Sequence, residues 1–94
     1  MYPGISGRKP ILNITVKLYA LLDRYLPPGA EKNQAVLTVA DDATVMDVIR
    51  SINLPERHCH LVLVNGVFIA PGERETRILN EGEALAIWPP VAGG

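Results

Sequence analysis

The chain has 94 residues, of which 48% are apolar and 20% are charged, and its formal net charge is −1. This length fits one domain, and the apolar fraction excludes an intrinsically disordered chain. The basic residues are scattered and no apolar run is long enough to span a bilayer, so the sequence predicts neither nucleic-acid nor membrane binding. The one cysteine, Cys59, excludes an internal disulfide and is compatible with a cytoplasmic location.

The N-terminal segment, residues 1–10, is predicted to be a flexible arm. It contains two prolines and two glycines but lacks the apolar stretch of a secretory signal peptide. Residues 11–88 are expected to form the folded domain, and residues 89–94 an extended tail.

Residues 11–39 predict two strands around a short helical turn. The first strand begins at Ile11, and from Ile14 apolar residues alternate with polar ones, which is typical of a strand with one buried face. Residues 20–26 favour a helical turn, which the two following prolines end. Residues 35–39 read as a second strand, most simply the hairpin partner of the first.

One amphipathic helix is predicted after the turn at residues 41–43. Thr44 is typical of an N-cap, and Asp47 is a weak capping-box partner three positions later. Asn53 and Pro55 end the helix. The apolar stripe expected to lie across the sheet consists of Val45, Val48, Ile49 and Ile52.

The next segment predicts a hairpin. Residues 61–64 form an unbroken apolar run, which favours a strand in a central, buried position. Asn65-Gly66 is typical of a type I′ turn, and residues 67–69 form the short return strand.

A charged loop at residues 71–77 leads to the last strand. Its charges at residues 73–75, like those at residues 41–42, fit either a docking surface for a partner or a solvated turn. Ile78 and Leu79 are expected to anchor the loop in the core. Residues 84–87 predict the final strand, with Trp88 at its exit.

The resulting order, β-β-α-β-β-β, predicts an α+β fold in which a mixed sheet packs on one main helix. If the last strand pairs parallel with the first in the sheet centre, the arrangement is the ubiquitin-like β-grasp.

The segment after Trp88 favours chemistry at its end. Prolines fix φ and lack a backbone donor, so the tail is predicted to leave the last strand stiff and extended. Glycines without Cβ atoms can pass a narrow channel. The carboxylate at Gly94 is an anion at neutral pH and can attack a nucleotide phosphate held by a partner enzyme; the alternative is a frayed end. The tail expected to enter a partner's channel comprises Pro89, Pro90, Val91, Ala92 and Gly93.

Several segments resemble one known family. They are residues 87–94, which contain the aromatic-Pro-Pro-Val-x-Gly-Gly ending, residues 63–66 followed by 79–83, and residues 16–20 near the start of the folded part. Together they resemble the sulfur-carrier family that includes the small subunit of molybdopterin synthase and the thiamine-biosynthesis sulfur carrier. The ending resembles the molybdopterin branch more than the thiamine branch, whereas residues 19–24 match that branch only in part.

The resemblance implies a mechanism. An adenylyltransferase resembling the ubiquitin-activating enzyme would adenylate the Gly94 carboxylate with ATP, and a sulfur donor protein would convert it to a thiocarboxylate. The tail would then enter a larger synthase subunit or another sulfur acceptor. The chain would bind no cofactor itself and would be a carried substrate and synthase subunit rather than a complete catalyst.

Two other classes of function stay open beside the sulfur carrier. One is a protein modifier conjugated to lysine through Gly94, as ubiquitin is, and the other is a β-grasp adaptor with an idle tail. Within the carrier class, the acceptor pathway is open between molybdopterin, tungsten-pterin and thiamine synthesis.

The remaining chemistry-bearing side chains favour structural roles. His58, Cys59 and His60 are consecutive, so on an extended chain they point to opposite sides and are not expected to bind a metal together. Cys59 is interpreted as a small filler before a strand. Three aromatic residues are interpreted as packing, namely Tyr19, Tyr25 and Phe68. Trp88 is left open between the core edge and a partner contact, and Trp88 and Phe68 are the two candidate partner contacts.

Overall fold

Five strands form one mixed sheet in the computed structural model, which describes residues 10–90. The order across the sheet is β2-β1-β5-β3-β4, and β5 runs parallel to β1 while the other neighbours are antiparallel. The predicted α+β class and the central, parallel last strand are therefore confirmed. The strands are β1 (Ile11–Leu18), β2 (Gln34–Ala40), β3 (Leu61–Val64), β4 (Val67–Phe68) and β5 (Ala84–Trp88); the helix is α1 (Val45–Ser51), and 3-10 helices occupy Ala20–Tyr25, Glu56–His58 and Pro71–Glu73.

The hairpin of β1 and β2 follows the predicted alternation. Ile14, Val16 and Leu18 are buried, whereas the residues between them face the other side of the sheet. The register runs without interruption from Ile11 opposite Ala40 to Lys17 opposite Gln34. β2 is thus one residue longer at each end than predicted, and the helical turn after β1 is a 3-10 helix.

A complete capping box begins α1. The Asp47 backbone N–H donates to the Thr44 hydroxyl at 3.1 Å, and the Thr44 N–H donates to the Asp47 carboxylate at 3.0 Å. Such a cap stabilises a helix by about 1 kcal/mol. The predicted stripe faces the sheet, with Ile52 only partly buried, and Met46 is also buried although the pattern did not include it.

The apolar run of β3 forms an interior strand, as predicted, but only one of its two faces is buried. Val62 and Val64 are buried against the core, whereas Leu61 and Leu63 are partly exposed on the opposite face. β3 has a neighbouring strand on each side, but α1 covers only one face of the sheet. A run of apolar residues therefore marks an interior strand here without indicating two buried faces.

The turn between β3 and β4 has the predicted geometry. Asn65 and Gly66 have φ values of 48° and 83°, and both are positive as a type I′ turn requires. The return strand is two residues long instead of the expected three. Ile69, just beyond it, is buried, and its N–H still donates to the Val62 carbonyl of β3 at 2.9 Å.

The charged loop at residues 71–77 is not simply solvated. Arg74 is only 2% exposed, and its Nη1 donates to the Cys59 carbonyl at 3.0 Å. The Arg74 carbonyl also accepts from the Met46 N–H at 2.8 Å, which ties the loop to the start of α1. The expectation for the next two residues is half right, since Leu79 is buried but Ile78 is exposed.

Two predicted segments lie largely outside the described residues. Of the predicted arm, only Pro10 is described, and of the predicted tail only Pro89 and Pro90 are. The flexibility of the arm and the extension of the tail stay predictions. Within residues 10–90, no helix has both the length and the apolar character needed to cross a membrane.

Candidate functional site: the exit of the central strand

The tail leaves the sheet from its central strand. β5 lies between β1 and β3, and its last residue is Trp88, whose carbonyl accepts from the His60 N–H at 3.0 Å. Pro89 is partly buried and Pro90 is exposed. Neither proline has a backbone N–H, so neither can donate a hydrogen bond that would extend the strand ladder. Four predicted site residues lie outside the described residues, namely Val91, Ala92, Gly93 and Gly94.

Trp88 is held in place by Tyr19. The two rings stack with their centroids 4.1 Å apart and their planes 3° from parallel. The Tyr19 N–H also donates to the Ile87 carbonyl at 3.1 Å, which fixes the residue after β1 against the end of β5. An aromatic pair of this kind adds about 0.5–1.5 kcal/mol beyond its burial. The position of Trp88 at the end of β5 is therefore set by ring packing as well as by strand pairing.

The outer face of the sheet carries an apolar surface beside this exit. Residues opposite each other in register share a face, and Leu61 pairs with Trp88 while Leu63 lies between Ala86 and Phe68. Phe68 is 53% exposed, so its interpretation as core or partly buried packing is wrong. We call this surface the outer patch; it consists of Tyr19, Leu61, Leu63, Phe68, Ala86 and Trp88.

The outer patch has the composition of a docking surface. Its centre is aromatic and aliphatic, and aromatic residues are enriched where protein interfaces gain most of their binding energy. The Lys17 side chain lies in the same row as Ala86 and Leu63, at the border of the patch. A partner that covers this face would lie next to the root of the tail. Both candidate partner contacts, Trp88 and Phe68, are on this surface.

Two contacts fix the other end of β5. The Asn65 side-chain oxygen accepts from the Ala84 N–H at 2.8 Å, so the turn residue also positions the first residue of the strand. Arg77 forms an ion pair with Glu83 at 2.9 Å, and the hydrogen bond from Arg77 holds the pKa of the Glu83 carboxyl below its usual value. Together with the stack of Tyr19 on Trp88, these two contacts hold β5 at both of its ends.

Cys59 has the environment of a structural residue. It is 5% exposed and belongs to the core cluster, as its interpretation as a filler predicted. Burial raises the pKa of its thiol, although the charge of Arg74 opposes this effect. A buried thiol with a raised pKa is a poor nucleophile. The part of the chain that the structure describes contains no cluster of three or more His, Cys, Asp or Glu side chains able to hold a metal ion.

The sequence analysis predicted the parallel pairing of the last strand with the first, but not the stack of Tyr19 on Trp88 that this pairing produces. Tyr19 and Trp88 are far apart in sequence and meet only because β5 lies parallel to β1. The available indication was the alternation in residues 84–88, which places Ala84, Ala86 and Trp88 on one face.

A family profile matches residues 23–94, and the family is the ThiS family. This chain belongs to the ThiS family. It is thereby a member of the ubiquitin-like β-grasp sulfur-carrier family, as the residues of its strands and ending predicted. Among curated proteins, none matches the chain significantly.

Solved structures agree with this ThiS-family assignment. The solution structure of the Haloferax volcanii HVO 2177 protein has a TM-score of 0.72 at 27% identity and covers 95% of this chain and 92% of its own. SAMP1 from Haloferax volcanii, a small archaeal modifier protein, has a TM-score of 0.64 at 27% identity, with coverage of 87% and 99%. A Pyrococcus furiosus protein described as a molybdopterin converting factor subunit 1 has a TM-score of 0.62 at 19% identity, with coverage of 85% and 99%, and this likeness concerns the fold alone.

Proposed function

We propose that this protein carries sulfur as a thiocarboxylate on Gly94 and donates it in molybdopterin synthesis. The observation that carries the proposal is the end of the chain in its context: the family match runs through Gly94, and the aromatic-Pro-Pro exit lies beside the outer patch. A partner bound to that patch would receive the tail directly.

The chemistry starts with activation of the carboxylate. One Gly94 oxygen attacks the α-phosphate of ATP bound to an activating enzyme, pyrophosphate leaves, and an acyl adenylate forms. Sulfide supplied by a donor protein then adds to the carbonyl carbon and AMP leaves with its bonding electrons. The product is a thiocarboxylate, in which sulfur has replaced one oxygen.

The chain contributes position rather than catalytic groups to these steps. The stacked Tyr19 and Trp88 and the two prolines define where the tail begins. Holding a reacting group within about 3–3.5 Å of its target supplies a large part of a rate enhancement, so a fixed tail root assists both enzymes that receive the tail. Glycines at 93 and 94 allow the tail and a substrate to share one narrow site.

The pathway is tested in a strain that lacks this protein. The proposal predicts loss of molybdenum- or tungsten-enzyme activity, growth without added thiamine, and restoration of enzyme activity by the wild-type chain but not by a chain lacking Gly94. A thiamine requirement with intact molybdenum and tungsten enzymes would instead assign the protein to the thiamine pathway.

The resemblance to SAMP1 favours one second function, conjugation of Gly94 to lysine side chains of other proteins. Acyl adenylates react with amines as well as with sulfur nucleophiles, so both functions use the same activated tail. An antibody to this protein would then detect species of higher mass that disappear when Gly94 is removed.

A further inference from the structure

The edge strand β2 lacks the usual protection of an exposed sheet edge. It has β1 as a neighbour on one side only, and it runs for seven residues without a charged side chain, a proline or a break in register. Proteins commonly protect such edges with lysine, proline, bulges or very short strands, because an open edge pairs with other chains. The opposite edge strand, β4, is only two residues long. β2 is therefore the place in the described chain that is most suited to accept another strand.

The pattern of hydrogen bonds between β1 and β2 shows which backbone groups of β2 point away from β1. The Asp41 N–H donates to the Pro10 carbonyl at 3.0 Å, and the Leu18 N–H donates to the Asn33 carbonyl at 2.9 Å. Antiparallel pairs alternate, so the odd-numbered residues of β2 bond to β1, whereas the backbone groups of Val36 and Thr38 point away from it. No strand within residues 10–90 takes up these outward groups.

Two concavities follow this edge. One, of about 350 Å³, reaches β2 at residues 34–36, and the other, of about 240 Å³, lies between residues 38–40 and α1. The outward groups of Gln34 already bond to Glu31, and the Ala40 carbonyl accepts from the Ala43 N–H. A strand can therefore pair with residues 35–39, which extend for about 16 Å at roughly 3.3 Å per residue and reach both concavities. The first is lined by Pro27, Pro28, Gly29, Glu31, Gln34, Ala35 and Val36. The second is lined largely by small or apolar side chains, with Val39, Ala40, Ala43 and Val48 among them.

The charge near α1 indicates which kind of strand fits. Asp47 is the one charged residue that lines the second concavity, and the exposed Asp41 directly follows β2. At the other end of β2, Glu31 is followed by Lys32, which lines a separate depression. That end of the edge therefore carries both a negative and a positive charge. An extended apolar segment with a basic residue near Asp47 is complementary to this surface.

We infer that the β2 edge binds an extended apolar segment of a partner protein, which adds as a sixth strand and places a basic side chain near Asp47. Backbone hydrogen bonds to Val36 and Thr38 hold such a segment, and its alternate side chains enter the concavities. The surface lies at the β2 edge of the sheet, whereas the outer patch spans β5, β3 and β4. The protein can therefore hold one partner at this edge while its tail serves another, and the inference does not depend on the proposed function.

The probe is a synthetic peptide of five alternating valine and threonine residues with a lysine at each end. Titration of the full-length, isotope-labelled protein by NMR is expected to shift the amide signals of residues 34–40 and of Val48 and Ser51. A peptide with N-methyl groups on alternate residues cannot form the backbone bonds, and a twin with glutamate at each end has the wrong charge. Both peptides are expected to bind about tenfold more weakly. The N-methylated peptide loses backbone hydrogen bonds, and the glutamate peptide loses the favourable interaction with Asp47.

Matched variants separate the contributions of backbone hydrogen bonds and of side-chain charge to peptide binding. Val36→Pro removes an outward N–H and is expected to weaken peptide binding about tenfold, whereas Val36→Thr keeps this N–H and the β-branched shape and binds as wild type does. Asp47→Asn removes the charge but keeps an oxygen that can accept the Thr44 N–H, so only the preference for lysine over glutamate ends is expected to fall. If Val36→Pro does not fold, the N-methylated peptide carries the backbone test alone.

Four results would overturn the inference. They are signal shifts at the outer patch instead of β2, equal binding of the N-methylated peptide, a concentration-dependent dimer in which a second copy already covers β2, and changed β2 signals on deletion of residues 1–8, which would make the arm the occupant.

Discussion

The two faces of the sheet differ although they are built from the same strands. On the inner face, Val62 and Val64 of β3 and Ile87 of β5 are buried under α1. On the outer face, Leu61, Leu63 and Trp88 of those strands are only partly covered. The difference shows how a small domain combines two tasks: alternate residues of one strand stabilise the fold, and the residues between them are available to a partner. Substitutions at neighbouring positions should therefore separate stability from docking.

The largest effect is expected for a charge on the inner face. Val62→Asp places a carboxylate where the side chain is fully buried, and an unpaired buried charge is expected to cost at least 3–5 kcal/mol, roughly the lower end of the 5–15 kcal/mol stability of a domain. The variant should be largely unfolded by circular dichroism. The control is Leu63→Asp, one residue away on the outer face, which should fold with a loss of about 1 kcal/mol. Equal melting temperatures for the two variants would contradict the assignment of the faces.

A smaller effect, on binding only, is expected on the outer face. Phe68→Ala removes an exposed aromatic ring of the outer patch and should weaken binding to the activating enzyme about tenfold, the loss typical of a moderate interface contact. Ile11→Ala is the control, since Ile11 is similarly exposed but lies outside the patch. Calorimetric titration measures both. Wild-type affinity for Phe68→Ala, or an equal loss for Ile11→Ala, would place the docking surface elsewhere.

The strand shared by both faces also depends on the Arg77–Glu83 pair. The pKa of Glu83 is lowered in the folded state, so the unfolded state binds the proton at higher pH. The stabilisation is thus fully present above the unfolded pKa of about 4.3 and is lost as pH falls through the lower, folded pKa. Glu83→Gln should cost about 1–2 kcal/mol at neutral pH and reduce the loss of stability on acidification. Urea unfolding at several pH values measures this, and parallel stability curves for the variant and wild type would show that the pair contributes nothing.

The smallest effect is expected for deletion of residues 1–8. The sequence of this segment has no strand or helix pattern, so the variant should keep the melting temperature of the wild type. The NMR signals of residues on both faces of the sheet should also stay unchanged. Heteronuclear NMR is the measurement. Shift changes spread over the domain would show that the arm packs on one of the faces.

The sequence predicted the inner face better than the outer one. Period-two alternation in β1 and helical spacing in α1 identify buried residues because each pattern reports one covered face. The run at residues 61–64 could not reveal that one face of β3 is bare, because an apolar side chain has the same identity in a core and in an interface. Arg74 was missed because burial of a cation depends on distant contacts, here with the Cys59 carbonyl.

The candidate site also has one part that could be predicted from the sequence and one part that could not. The proposed tail chemistry could be predicted from residue types alone, since the effects of prolines and glycines on the backbone are local. The stack of Tyr19 on Trp88 requires the parallel pairing of β1 with β5 and could not be read from either residue's neighbours.

The most direct test of the account is the intact mass of three proteins after incubation with the activating enzyme, ATP and sulfide. Wild type should gain the mass of one oxygen-to-sulfur exchange. Deletion of Gly94 shifts the carboxylate by roughly 3.3–3.6 Å, and one residue added after Gly94 replaces the carboxylate with an amide. Both variants should therefore fold but gain no sulfur. A chain extended beyond Gly94 that gains sulfur as wild type does, without first being trimmed, would contradict the account.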